Sequence, residues 1–325
     1  MIVEEIREAV RAGGLLDGGR PLVAMLSGGR DSVCLLDVAT ALCGASGVVA
    51  LHVNHRLRAD ADVDERACVQ LCEGLGVELS IVHAGPPEGN VQAWARELRY
   101  AAARELAARA KLGAADPPIA TGHTASDQVE TILYRIAASP GRRALLGMAP
   151  RERGIVRPLL AVTREQTAAY CRARALGWRE DPSNDDPSYA RARVRSSLVP
   201  ALRAVHPAAE ANVLRTARLL REESEMLEAL VDSELAGRSS IALARLAELA
   251  PALARMVVVR LAEDAAETYV PQAGDHVEAL LALALRGGDA ELHVGGGVGA
   301  VIAQGAVSMR RLPPRATSQA PPDAG

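Results

Sequence analysis

The sequence has no phenylalanine and few aromatics of any kind, with two tryptophans and five tyrosines in 325 residues. A core must therefore be built from Ala, Leu and Val, and at 49% apolar the chain has enough of them. Lysine is almost missing: Lys111 is the only one, so arginine carries nearly all the positive charge. No C-x-x-C pair and no metal-ligand spacing joins Cys34, Cys43, Cys68, Cys72 and Cys171. They read as small buried hydrophobes in a reducing compartment. There is no apolar run long enough to span a bilayer, and residues 1–12 carry Glu4, Glu5 and Glu8 where a secretory signal would be basic. These features point to a cytoplasmic protein with no membrane partner. The net charge of −3 removes global basicity as a route to nucleic acid, so a polyanionic partner would need local arginine clusters.

What the sequence does have is the run Ser27-Gly28-Gly29-Arg30-Asp31-Ser32. It sits between an apolar strand, Leu22–Leu26, and an apolar helix from Val33. Two adjacent glycines allow a sharp turn and close backbone approach to a ligand. The helix that follows aims free N–H groups and the positive end of its dipole at the same place, which suits a phosphate. Ser27 and Ser32 can donate hydroxyl hydrogen bonds, and Asp31 suits magnesium better than phosphate. The run matches neither G-x-x-x-x-G-K-[ST] nor G-x-G-x-x-G.

Strands are expected at 22–26, 47–53, 77–82 and 118–121, with helices at 2–12, to about 43, 60–75, 91–111 and 126–137. Alternation of this kind specifies a parallel α/β sheet, with ligands at the carboxyl ends of its strands. Three polar stretches fall at such ends: Ser27–Ser32, Asn54-His55-Arg56-Leu57-Arg58, and Gly122–Thr131. In the last, His123, Asp127 and Glu130 have the spacing to share one helical face. Each alone has a plain structural reading; together, opposite a phosphate loop, they read as a site.

Two segments are rich in arginine and poor in acid. One holds Arg142, Arg143, Arg151, Arg153, Arg157 and Arg164 against Glu152; the other holds Arg191, Arg193, Arg195 and Arg203 against none. They suggest a local anionic partner. Between them, Val156–Leu160 reads as an edge strand, a helix begins near Thr163, and Asp181–Asp186 is rich in turn formers. From about Pro207 the character changes to helical runs at 208–236, 241–265 and 273–286, then short strands with glycine turns over 290–311. The expected organisation is a catalytic domain at 1–206, a mainly helical domain at 207–312, and a disordered tail at 313–325.

Assembled, these motifs resemble those of the bacterial tRNA(Ile)-lysidine synthases, a family of PP-loop ATP pyrophosphatases. The resemblance spans roughly residues 20–220. It rests on Ser27–Ser32, His52–Arg58, Gly122–Thr131, Leu146-Gly147-Met148, Arg157–Leu160, Asp181–Asn184 and the arginines Arg191, Arg193 and Arg195. It implies a PP-loop, Rossmann-like catalytic domain followed by a smaller, mainly helical tRNA-binding domain.

The implied reaction uses ATP to adenylate the C2 oxygen of the wobble cytidine of a tRNA(Ile) with a CAU anticodon. Free L-lysine then displaces AMP. Ser27–Ser32, His55 and Arg56 would hold ATP, and Asp31 and Asp127 would hold Mg2+. Asp127, Glu130 or His123 would handle the lysine amine, and Arg195 a carboxylate or phosphate. A homodimer is among the assemblies this admits. Family members often have two adjacent acids where this chain has Ser126-Asp127, and longer members carry a further C-terminal domain. A tRNA thiolase and a nucleotide sensor without turnover are the competing readings; the first would be expected to use paired cysteines.

Overall fold

The computed structural model describes residues 1–16, 21–57, 60–87, 89–110, 117–138, 141–180, 186, 188–286 and 288–313. The expected turn at Asp181–Asn184 and nearly all of the expected tail lie outside these residues, as does Arg58. The chain divides into two compact units, Met1–Arg218 and Leu219–Gly325.

The first unit starts with α1 (Ile2–Ala12), which buries Ile6 and Val10. There follow β1 (Leu22–Met25), α2 (Arg30–Cys43), β2 (Val48–Asn54), α3 (Ala61–Leu75), β3 (Glu78–His83), α4 (Val91–Arg109), β4 (Ile119–Ala120) and α5 (Ala125–Ala138). Next come α6 (Arg142–Leu145), β5 (Arg151–Glu152), β6 (Ile155–Val156), α7 (Arg164–Ala173), α8 (Ala190–Arg193) and α9 (Val199–Val205); α10 (Ala209–Leu235) begins in this unit. The sheet order is β3-β2-β1-β4-β6-β5. All pairs are parallel except the β5–β6 hairpin.

β1 lies centrally, and its two faces build two cores. Leu22 and Ala24 pack with Val33, Leu35 and Leu36 of α2, Cys68 of α3 and Tyr170 of α7. Val23 packs on the other face with Leu51, Ala103 and Ala107. A strand covered on both faces has to be a continuous apolar run, which is how Leu22–Met25 reads.

The expected edge strand at 156–160 is corrected. β6 ends at Val156 and lies between β4 and β5, so β5 is the edge. Pro158 has no N–H to extend a ladder, and the backbone turns instead, with Leu160 N donating to Arg157 O and Val162 N to Leu159 O. Thr163 and Gln166 then form a reciprocal capping box that starts α7.

The second unit holds β7 (Ser240–Ala242), α11 (Leu243–Glu248), α12 (Pro251–Ala266), α13 (Val277–Arg286), β8 (Ala290–Gly295), β9 (Val298–Ala303) and β10 (Ala306–Arg311). Its antiparallel sheet runs β7-β10-β9-β8 over a core that includes Val257, Leu261, Leu280, Val294 and Ile302. The single helix expected at 241–265 is instead a strand and two helices. Pro251 starts the second helix because its fixed φ suits a first turn and its missing N–H is not needed there. No helix among the described residues is long and apolar enough to cross a membrane.

Candidate active site

The Ser27–Ser32 loop closes on itself through its hydroxyls. Ser32 Oγ accepts from Ser27 N at 3.1 Å and donates to Gly29 O at 2.8 Å. Gly29 N donates to Ser27 Oγ at 3.3 Å. Gly28 has φ +83°, and a Cβ there would meet Cys68 Sγ at 3.3 Å, so the turn requires glycine. Gly29 caps α2 with no side-chain cap bond, leaving first-turn N–H groups for a ligand. The carboxyl end of β4 comes in beside this turn: a Cβ on Gly122 would lie 3.1 Å from Asp31 C and O and Ser32 N. Glycine is therefore what lets the second motif reach the first.

Asp31, Asp127 and Glu130 come together around one side chain, Arg164, at the start of α7. Arg164 Nη2 donates to Asp127 Oδ1 at 2.8 Å and Nη1 to Glu130 Oε1 at 3.0 Å, while Nε lies 3.7 Å from Asp31 Oδ2. Thr167, one turn on, donates to Asp31 Oδ1 at 2.5 Å. Arg195 grips Glu130 from the other side, with Nε 2.7 Å from Oε1 and Nη2 3.0 Å from Oε2. Arg195 sits in a π-helical turn, Val194–Leu198, between α8 and α9. Pro200, two residues past this turn, has no N–H to donate back into it, which accounts for the widened ladder.

The environments separate these carboxyls. Burial would raise Asp127, but the Arg164 charge and the Thr124 N–H and hydroxyl, at 2.8 and 2.7 Å, hold it below the usual carboxylate range. Asp31 is pushed up, first by burial and also by the charge of Asp127, against the Thr167 hydrogen bond and Arg164. Counting the exposed Glu180 that pairs with Arg30, four carboxylates stand against the guanidiniums of Arg30, Arg164 and Arg195.

His123 does not share the helical face expected for it. It precedes α5, and its Nδ1 lies 2.7 Å from the Thr121 hydroxyl. Burial pushes its pKa down to about 4, opposed by Asp127 and assisted by Arg157, Arg191 and Arg96. It is a neutral imidazole at pH 7. Asp127 also does helix-start work: its N donates to Thr124 Oγ1 at 3.3 Å, and its Oδ2 accepts from Thr124 N at 2.8 Å.

His55 and Arg56 lie with a different group. The His55 ring is 5.7 Å from that of Trp94, and its buried Nδ1 has no hydrogen-bond partner among the described residues. Burial, then Arg99 and His52, push its pKa down. Arg56 is exposed at φ +52°, its N–H on Asn54 Oδ1. Nearby on α4, Arg96 lies 4.9 Å from the Tyr100 ring centroid. No hydrogen bond or ion pair among the described residues joins His55 or Arg56 to the Arg164 cluster. Arg191 and Arg193 are exposed, with Arg193 Nη1 on Ser188 O at 2.8 Å.

Magnesium takes hard oxygen ligands and, beside a nucleotide, draws most of them from phosphate and water. Asp31 and Asp127 fit that requirement as two carboxylates that feel each other and already share a cation. No group of three or more His, Cys, Asp or Glu among the described residues forms a metal cage, so a bound metal would depend on the nucleotide's oxygens.

Arg164 and Thr167 carry no motif that singles them out. The capping pair Thr163–Gln166 fixes where their helix starts and so which residues share its first turn, but not what that turn faces.

Residues 3–202 match the family model for the PP-loop domain. The chain is 40% identical over 299 residues to a tRNA(Ile)-lysidine synthase of Salinispora arenicola, covering 86% of this chain and 88% of that one. It is 38% identical over 218 residues to a tRNA(Ile)-lysidine synthase of Pseudomonas syringae, covering 65% of this chain and 48% of that one. Among solved structures, the U34-tRNA thiolase NcsA of Methanococcus maripaludis with its [4Fe-4S] cluster is similar in fold. Its TM-score is 0.56 at 19% identity, covering 68% of this chain and 79% of that one. With the PP-loop model matching well over half its length and a relative covered almost end to end, the chain belongs to the tRNA(Ile)-lysidine synthase family.

Proposed function

We propose that this protein ligates free lysine to C2 of the wobble cytidine of tRNA(Ile) with a CAU anticodon, consuming ATP and releasing AMP and pyrophosphate. The observation that carries the reading is the junction of the phosphate loop with Asp31, Asp127 and Glu130 through Arg164, at the carboxyl ends of β1 and β4. An unactivated C2 oxygen is a poor leaving group, so adenylation must precede amine attack.

The uncapped N–H groups of α2, with Ser27, Ser32 and Arg30, bind the pyrophosphate end of ATP. Asp31 and Asp127 would hold magnesium, which neutralises charge developing on the phosphates. The Trp94–His55 pair, with Arg56, Arg96 and Arg99, offers stacking and positive charge to the nucleotide or the anticodon.

Deprotonating a lysine side chain of pKa near 10.4 at pH 7 costs about 4.6 kcal/mol. His123, at about 4, is too weak a base to remove that proton unaided, and serves as a neutral hydrogen-bond partner. The carboxylate cluster hydrogen-bonds the ammonium, and its proton passes to Asp127 or to water as the amine attacks C2 and AMP departs. Glu130 acts indirectly, by keeping Arg164 and Arg195 in place. Arg195, Arg191 and Arg193 meet the lysine carboxylate or tRNA phosphates.

The test is pyrophosphate release with magnesium, lysine, and either CAU tRNA(Ile) or no tRNA. Release that needs the tRNA, with labelled lysine becoming tRNA-bound, supports the reading; release without lysine transfer would exclude it. Thiolation is not favoured by the thiols themselves: burial pushes Cys68 up to about 12 and Cys72 up to about 11.

A further inference from the structure

Behind the carboxylate cluster lies a second polar knot that the chemistry does not use. Asp37 of α2 is 2% exposed and Tyr170 of α7 fully buried. A buried carboxylate is costly unless its oxygens are well paired. Here Tyr170 OH donates to Asp37 Oδ2 at 2.6 Å. Arg174 makes a two-pronged contact, with Nε to Oδ2 and Nη2 to Oδ1, both at 3.1 Å. Arg7 of α1 adds its Nε to Tyr170 OH at 3.2 Å and its Nη2 3.6 Å from Asp37. Three helices converge on one carboxylate.

The sequence positions give the knot its meaning. Asp37 follows Asp31 by six residues on α2, and Tyr170 follows Arg164 by six on α7. The same two helices are therefore tied twice. The front tie is Thr167 and Arg164 on Asp31; the rear tie is Tyr170 and Arg174 on Asp37. Six helical residues span about 9 Å, so the rear tie stands clear of the site yet on the same two rigid rods. A hydrophobic contact would tolerate sliding along the helix axis; a two-pronged guanidinium–carboxylate contact does not.

We propose that Asp37, Tyr170 and Arg174 are positioning residues that fix the register of α7 on α2, and so set Arg164 and Thr167 against Asp31 for binding magnesium-ATP. Misplacement of a reacting group by about 1 Å is worth about a hundredfold in rate. This inference rests on the lysidine reading for its catalytic arm only; its nucleotide-binding arm stands without tRNA or lysine.

The test uses the full chain carrying Tyr170→Phe, Arg174→Gln or Asp37→Asn, with Val38→Ala as a core control on the same helix, beside Asp37 but with a side chain that makes neither tie. Three quantities are read: amide hydrogen exchange at residues 164–167 in the nucleotide-free protein, the magnesium-ATP concentration for half-saturation, and the rate of pyrophosphate release. The expected result for Tyr170→Phe and Arg174→Gln is faster exchange at 164–167, half-saturation raised about tenfold and a rate lowered about tenfold or more. Val38→Ala should lower the melting temperature while keeping wild-type half-saturation. Should Asp37→Asn fail to fold, Arg174→Gln, at a partly exposed side chain, decides the matter. Knot variants that lose stability as Val38→Ala does, yet keep wild-type half-saturation and rate, would overturn the inference. Wild-type protein that binds magnesium-ATP but transfers no lysine would remove the proposed reaction and leave the register claim to the binding and exchange arms.

Discussion

The two units use arginine in opposite ways. In residues 1–218, 28 basic residues face 25 acids, and several of the arginines reach inward. Arg164 and Arg195 hold Glu130, at 4% side-chain exposure, and Arg174 holds Asp37 at 2%. In residues 219–325, nine arginines face fifteen acids, and the ion pairs stand at the surface, as in Arg245–Glu234 and Arg310–Glu291. To its two apolar cores the first unit adds buried polar contacts with direction and fixed length. The second is held by an apolar core of Val, Leu and Ala. Geometry suited to chemistry comes from the first kind of packing, since buried charge tolerates few arrangements.

The largest break in this comparison is Arg164→Ala. It leaves Asp127 and part of Glu130 facing Asp31 without their shared cation. Stability should fall by about 3 kcal/mol, and pyrophosphate release by about a hundredfold. Unfolding by denaturant and single-turnover kinetics read the two effects, and a variant within twofold of wild type in rate would show that the hub is not needed.

Next is Leu280→Ala, at a fully buried position of the second unit's core. Truncation of a buried leucine costs about 3 kcal/mol. If the units unfold separately, calorimetry should show one transition lowered and the other unmoved. A uniform shift of a single transition would show the two units unfolding as one cooperative body.

A smaller effect is expected from pH. His123 is near 4 in the folded chain against an ordinary 6.5, so the unfolded chain binds more protons between those values. Stability then rises with pH through that window and is lost on acidification from about 6.5 to 4. His123→Gln should flatten that part of the stability curve; an unchanged slope would place the titration elsewhere. The smallest effect belongs to Arg245→Ala, whose exposed pairs with Glu234 and Glu248 should leave the melting temperature unmoved.

Much of the first unit was legible because its signals are local. An apolar run, two glycines and a hydroxyl pair announce Ser27–Ser32, and the strand-end rule selects the stretch holding Asp127 and Glu130. Arg164 was legible only as one of many arginines. Its partners are 34 and 37 residues away, and Thr167 reaches Asp31 across 136. No period or turn chemistry encodes such a pairing. The Asp37–Tyr170 knot was hidden for the same reason, at a separation of 133. The i, i+4 spacing of His123 and Asp127 looks helical, whereas Thr124 caps the helix one residue after His123. In the second unit, Ala- and Leu-rich composition masked a strand at Ser240–Ala242, whose partner β10 lies more than sixty residues on.

Lysine transfer by the purified protein, followed as labelled lysine on CAU tRNA(Ile) together with pyrophosphate release, tests the proposed reaction and its Arg164 hub at once. Transfer and release should both require the tRNA, magnesium and ATP, and both should collapse in Arg164→Ala while ATP-free tRNA binding persists. Pyrophosphate release independent of tRNA, or lysine transfer undiminished in Arg164→Ala, would contradict the proposal.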